Sequence, residues 1–346
     1  MSYFISRVYE SDKRAMEQVD ELLQQEGIQR DGNLDYIAAV YDEEYKIIAT
    51  GSCFGNTLRC FAVDGSHQGE GLLNQLITHL VDFQFERGNL HLFLYTKIQS
   101  AKFFGDLGFH EIARVGGTLV FMENRRDGFA RYLSNLAKTK TEGKSAALVM
   151  NANPFTYGHQ YLVETAAAAC DRLHLFIVSE DASLFPFSVR KRLIQEGVAH
   201  LSNVTLHDSG PYIISSATFP SYFLKDAAAV ATGHARLDIE IFKKIAQVLG
   251  ITDRYVGEEP TSQVTGLYNQ VMQEELPLSG IECHVIPRKE AGGSAISAST
   301  VRNLLKNGDF DSVKALVPPT TYAFLTSPEA EPILKKIRET ENVIHH

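Results

Sequence analysis

Two short segments of the chain carry residue types at spacings that suit phosphate chemistry. The first is Asn151-Ala-Asn-Pro-Phe-Thr-Tyr-Gly-His159. Asn153-Pro154 stops the apolar run that ends at Asn151, and Gly158-His159 opens a helical pattern carrying Leu162, Val163, Ala166, Ala167 and Cys170. Gly158 and His159 are therefore expected at a helix N-terminus on the carboxyl edge of a parallel sheet, where amide N–H groups and the helix dipole favour anions. The glycine lets backbone approach a phosphate closely, and the histidine adds a donor whose charge can follow a reaction. A Gly-His pair by itself more often only shapes a turn, so the weight rests on the whole segment. The second segment is Ile296-Ser-Ala-Ser-Thr-Val-Arg302, preceded by Gly292-Gly293. Ser297 or Ser299 can cap a helix there, and Arg302 lies one turn in, where its guanidinium can clamp two phosphate groups. An N-capped surface helix explains this second segment alone about as well.

A third segment, Val63 to Leu73, joins a strand to a helix and includes Gln68, Gly69 and Gly71. Glycines at a helix start leave main-chain amides open, which is the chemistry of a pyrophosphate cradle. Arg190, Arg288 and Lys289 can hold phosphate, and Glu258 and Glu259 can hold Mg²⁺ or ribose hydroxyls. Each of these is more often simply a solvated charge at the end of an element.

These segments must be positioned by two different kinds of architecture. Up to about residue 124 the pattern is mixed: a strand at 3–9, a helix capped by Ser11, strands between 35 and 54, and a third strand returning through the Gly55-Asn56 turn. A helix at 71–87, a strand at 90–95, a helix capped by Ser100 and ended at Gly108, and a last hairpin follow. Residues 126–143 read as a connecting helix, with Phe129, Tyr132, Leu133 and Leu136 at helical spacing, and a polar linker. Beyond it, apolar strands at 146–150, 173–179, 204–207, 228–232, 254–257 and 283–287 alternate with helices, the rhythm of a parallel, doubly wound sheet. A tail from 318 reads as helices broken by Pro328 and Pro332. The expected domains are thus 1–125 (α+β), 126–143 (connector) and 144–346 (α/β).

Composition narrows the partners. A formal net charge of −9 gives no reason to expect binding to nucleic acid or to an anionic membrane, so phosphate recognition must be local. Cys53, Cys60, Cys170 and Cys283 form no CxxC pair and no cluster with metal-ligand spacing, so no protein-held metal is assigned. Reduced thiols, the absence of a signal-like start and the absence of a long apolar run lead us to expect a cytoplasmic protein.

Asn-Pro-x-Thr-x-Gly-His resembles the signature of the HxGH nucleotidyltransferase superfamily, with Thr156 at its first histidine position. Ile296 to Arg302 resembles that superfamily's Ile-Ser-Ser-Thr-x-x-Arg, with Ala298 for a serine and Ser299 for a threonine. The resemblance implies a Rossmann-like domain that transfers at the α-phosphate of a nucleoside triphosphate, with His159, Arg302 and Thr156 as catalytic residues. It implies nucleotide contacts at Asn151, Asn153, Gly158, Ser297, Ser299 and Thr300. The cradle at Gln68, Gly69 and Gly71, with Ser100 to Phe109, is similar to the GNAT acetyltransferase fold, although Ser66 stands where that family has arginine or glutamine.

A GNAT-like domain followed by an HxGH-type domain resembles the citrate lyase ligases, as do Ser215 to Ser221 and Tyr255 to Pro260. That family implies ATP, with Mg²⁺, and acetate as substrates. Its acceptor is the thiol of the dephospho-coenzyme A-type prosthetic group on the acyl carrier subunit of citrate lyase, and AMP and pyrophosphate leave. A nucleotidyltransferase joining AMP to a phosphorylated small molecule, or an acetyltransferase using acetyl-CoA, shares part of these features.

Overall fold

In a computed structural model, residues 3–180, 183–213, 219, 227–258 and 263–341 are described. Two compact units are formed, Met1–Arg131 with Phe219–Glu240, and Tyr132–Thr218 with Ile241–His346. The first contains β1 (Phe4–Val8), α1 (Lys13–Gln25), β2 (Tyr36–Tyr41), β3 (Ile47–Phe54), β4 (Thr57–Val63), α2 (Leu72–Glu86) and β5 (Phe93–Thr96). It continues with α3 (Ile98–Asp106), β6 (His110–Val115) and β7 (Leu119–Glu123), and α4 (Gly128–Ala137) follows. One seven-stranded sheet runs in the order β1-β2-β3-β4-β5-β7-β6. Leu72, Leu76, Ile77 and Leu80 recur at helical spacing, so one face of α2 closes over the sheet in a core with Val40, Ile48, Leu58 and Leu94. Within this mixed sheet β4 and β5 are parallel and pair only at Thr57–Phe93 and Leu58–Leu94, so the two strands part beyond that point.

Two caps differ from expectation. Asp12, not Ser11, caps α1, its carboxylate accepting from Ala15 N at 3.1 Å. Ser100 lies inside α3, whose N-cap is Lys97. In both places a serine within one turn of the start is outcompeted by where the backbone leaves the preceding strand or turn.

The second unit is built on β8 (Ser145–Met150), α5 (Tyr157–Ala168), β9 (Arg172–Ile177), α6 (Phe187–Gly197) and β10 (Val204–Asp208). After α7 (Ala227–Leu249), whose residues up to Glu240 belong to the first unit, come β11 (Ile251–Gly257), α8 (Gln263–Glu275) and β12 (Glu282–Ile286). The hairpin β13 (Glu290–Ala291) and β14 (Ser294–Ala295) precedes α9 (Ala298–Lys306), α10 (Phe310–Lys314), α11 (Pro319–Leu325) and α12 (Glu331–Glu339). The sheet is parallel, in the order β10-β9-β8-β11-β12. Strand order reverses between β8 and β11, and a crevice at their carboxyl ends is where such sheets take ligands.

Residues 228–232 are not a strand: they lie in α7. A short apolar run has no period of its own, and here Leu237, Ile241, Ile245 and Leu249 extend it at four-residue spacing into a helix. Pro332 does not break a helix but sits in the first turn of α12, where its missing N–H costs nothing. Val301, Leu305, Phe324 and Ile337 from the C-terminal helices share one core with Leu148, Leu175 and Val163. Glu259, Pro260 and all of Ser215 to Ser221 except Phe219 lie outside the described residues.

On β9 and β10, His174 and His207 are buried side by side, Nδ1 to Nε2 at 2.9 Å with the rings stacked. Burial pushes both down to about 4, His174 also feeling His207 and Arg172. Between the ordinary value of 6.5 and about 4 the unfolded chain takes up protons that the folded pair refuses, so stability is full above 6.5 and falls as pH drops toward 4. The urea midpoint of this unit is therefore expected to fall from about pH 7 to about pH 5, and to fall less in His174→Asn/His207→Asn. An unchanged pH slope in the double variant would contradict this.

Candidate functional site

The first signature begins where β8 ends. Asn151 donates through Nδ2 to Ser183 Oγ at 2.9 Å, and Ala152 is held at φ 51, the left-handed region that non-glycine residues avoid. Asn153 is buried, its Oδ1 accepting from Phe185 N at 3.0 Å. Thr156 then caps α5: its Oγ1 accepts from His159 N at 3.4 Å, and Thr156 N donates to His159 Nδ1 at 3.1 Å. An amide can only donate, so Nδ1 is an acceptor and the neutral ring carries its proton on Nε2. Gly158 is required by a close approach, because a Cβ there would meet the Ile296 carbonyl oxygen at 2.9 Å.

That carbonyl belongs to the second signature, which the same contact seats on the first. Ile296 N donates to Lys289 O at 2.9 Å, and Ser297 caps α9 by accepting from Thr300 N at 3.0 Å. Ser297 Oγ also meets Ser299 Oγ at 2.9 Å and Thr300 Oγ1 at 2.8 Å. Of the two serines that could cap, Ser297 does so. Arg302 is 4% exposed and donates through Nη1 to the Asn153 carbonyl at 2.5 Å, so the second signature returns to the backbone of the first.

The two helix starts border a cavity of about 270 Å³. Thr156, Gly158, His159, Ser297, Ser299 and Arg302 line it, together with Tyr161, Gly257, Glu258, Arg288 and Lys289. Asn151, Asn153 and Thr300 do not; they hold the loop and the cap behind it. Thr156 borders the cavity with its hydroxyl engaged in the cap and 2.9 Å from His159 Nδ1. Arg190 is elsewhere altogether, fully buried among backbone carbonyls. Arg288 donates through Nε to the Glu258 carbonyl at 2.8 Å, and Lys289 Nζ lies over the rings of Tyr157 and Tyr161 at 5.6 and 5.8 Å. Their position directly after the last strand of a parallel sheet was the sequence signal for both cations. Tyr161, four residues from Tyr157 on the same helix face, was not singled out.

His159 is half-buried and is pushed down to about 4, chiefly by burial and further by the charges of Arg288 and Arg302. Burial lowers Arg302 to about 10, which leaves it charged at neutral pH. The cavity thus offers a neutral N–H donor, fixed guanidinium charge and the N-terminal turns of α5 and α9, a set matched to a polyphosphate. Among the described residues one group has metal-like spacing, Asp253, Glu282 and His284, near the opposite ends of β11 and β12. Asp253 Oδ1 there already receives Lys144 Nζ at 3.1 Å and His284 Nε2 at 2.7 Å, which makes it a charge network on that edge.

In the first unit, Gln68, Gly69 and Gly71 line a separate cavity of about 510 Å³ with Phe61, Val63, Leu72, Lys97 and Phe103 among its walls. Gly69 and Gly71 have φ of 89 and 76, and Gly71 caps α2 without any side-chain bond, leaving the amides of the first turn open. Apolar Phe61, Val63, Leu72 and Phe103 share this lining with Gln68, Asn74, Ser100 and Lys97, whose Nζ donates to the Glu26 carbonyl at 3.3 Å.

His159→Ala is expected to slow transfer at the α-phosphate about 100-fold. With a neutral donor, wild-type rate should not fall as pH rises from about 5.5 to about 8 through the ordinary histidine range. Pyrophosphate release followed over that range checks both; a loss above about 6.5 that vanishes in His159→Ala would contradict the assignment.

Residues 145–325 match the citrate lyase ligase C-terminal domain family. The chain is 42% identical over 320 residues to the [citrate [pro-3S]-lyase] ligase of Klebsiella pneumoniae, covering 91% of this chain and 93% of that protein. It is 39% identical over 327 residues to the enzyme of the same name from Escherichia coli strain K12, covering 92% and 93%. Among solved structures, a GNAT-family acetyltransferase from Staphylococcus aureus covers 36% of this chain and all of its own, at 16% identity and a TM-score of 0.31. No helix among the described residues is long and apolar enough to cross a membrane. With both signatures on one cavity and relatives matched nearly end to end, the chain belongs to the citrate lyase ligase family.

Proposed function

We propose that this ligase uses ATP to adenylate acetate and passes the acetyl group to the thiol of the dephospho-coenzyme A-type prosthetic group on the acyl carrier subunit of citrate lyase. The carrying observation is the meeting of His159, Arg302 and the starts of α5 and α9 on one cavity. An acetate oxygen attacks the α-phosphorus, the bond to the β-phosphate oxygen breaks and pyrophosphate leaves. The thiolate sulfur then attacks the acetyl carbon, the acyl–phosphate bond breaks and AMP leaves. Neither step needs a protein nucleophile, only alignment and charge stabilisation.

His159 Nε2–H donates to the α-phosphate as charge builds on its oxygens. Arg302 and Arg288 hold the leaving pyrophosphate, and Ser297 and Ser299 orient it with the amides of α9. Thr156 acts by fixing the ring of His159. Mg²⁺ would neutralise charge between the phosphates. Glu258, the carboxylate among the described lining residues, with the hydroxyls of Ser297 and Ser299, suits a hydrated ion held mainly by the substrate. We assign 1–125 to the prosthetic arm, 126–143 to the connector and 144–346 to ATP. A cytoplasmic location fits the four free cysteines.

Exchange of labelled pyrophosphate into ATP is expected only when acetate is present. Exchange with a phosphorylated small molecule in its place would favour the nucleotidyltransferase reading, and acetyl-CoA consumption without ATP the acetyltransferase one. The cradle has its own test. Gly71→Val, which places a branched residue at φ 76, is expected to raise the apparent KM for the carrier at least fivefold while leaving acetate-dependent exchange intact. An unchanged KM would remove the arm from that cavity.

A further inference from the structure

Arg190, on α6, is 0% exposed, and its guanidinium is spread over four backbone carbonyls. Nε donates to Phe185 O at 3.0 Å, Nη1 to Asn151 O at 3.1 Å and Val178 O at 2.8 Å, and Nη2 to Glu180 O at 2.6 Å. These acceptors are the last turns of backbone beyond β8 and β9 and the approach to α6, which frame the first signature. A rigid planar fork with donors on three nitrogens can hold such a set at once; a lysine cannot.

The network does not end there. Phe185, whose carbonyl Arg190 holds, donates its own N–H to Asn153 Oδ1, and the Asn153 carbonyl receives Arg302 Nη1. We infer that Arg190 is a positioning residue for the ligase reaction: through Phe185 and Asn153 it sets where the guanidinium of Arg302 meets the polyphosphate. Its burial removes it from direct contact with ATP, so its effect passes through Arg302. Displacing a positioned group by about 1 Å is enough to cost up to about 100-fold in rate.

This inference rests on the proposed nucleotide site, and a double-mutant cycle on kcat for acetate-dependent pyrophosphate exchange tests it. Arg302→Gln is expected to lower kcat about 100-fold and Arg190→Gln about tenfold, with the double variant no slower than Arg302→Gln alone. A role limited to holding the fold would lower the melting temperature yet leave kcat per folded molecule within twofold, or would give effects that multiply; either result overturns the inference. Arg190→Lys keeps the charge and some of the donors, and runs the same cycle if the glutamine variant does not fold. It should fold and remain several-fold slow, because the fork is lost. Wild-type protein without acetate-dependent exchange would overturn the acetate reading instead. The cycle is then read from ATP affinity, where the same non-additivity is expected and additive effects overturn the inference.

Discussion

The bond from Arg302 to the Asn153 carbonyl spans 149 residues of sequence and fixes the site. A guanidinium at 4% exposure must have its donors met, and this carbonyl, at the end of β8, meets one of them. Placing it there brings α9 against α5 so closely that position 158 has no room for a side chain. Two helix N-termini then open on one cavity. The left-handed Ala152 and the buried Asn153 side chain serve the same end, turning the chain so that one carbonyl faces α9 and not the sheet.

The electrostatics follow from this packing. The protein is acidic overall, with a formal charge of −9, yet the cavity is walled by Arg302, Arg288 and Lys289. Burial is the main reason that His159 is held neutral, and the charges of Arg288 and Arg302 add to it. A neutral donor with its proton fixed on Nε2 can serve an anionic transition state without titrating near pH 7. Threonine at position 156 suits this arrangement: as helix cap it supplies both the hydroxyl and the amide that hold the ring.

Much of this was legible in the sequence because it is local. Proline, glycine and serine punctuate the turns, so the starts of α5 and α9 and five of the second unit's strands could be read directly from residue type. The readings that failed needed longer range. The run at 228–232 belongs to a helix whose face becomes visible only over twenty residues. Arg190 can be read from sequence as a phosphate ligand or, more readily, as a solvated charge near a helix start, and nothing in one sequence says that four carbonyls surround it. The Asn153 side chain accepts from Phe185 N and its carbonyl from Arg302 Nη1, and a residue type does not reveal which way a buried amide points.

In the first unit the left-handed Gly69 and Gly71 leave amides open on a cavity that Phe61, Val63, Leu72 and Phe103 also line. All of this depends on acetate attacking the α-phosphorus at the His159–Arg302 site. The most direct measurement is the fate of oxygen from acetate labelled with ¹⁸O during one turnover with ATP and the carrier. Attack at the α-phosphorus predicts one labelled oxygen in the AMP released. Label in pyrophosphate or in inorganic phosphate, with none in AMP, would contradict the account.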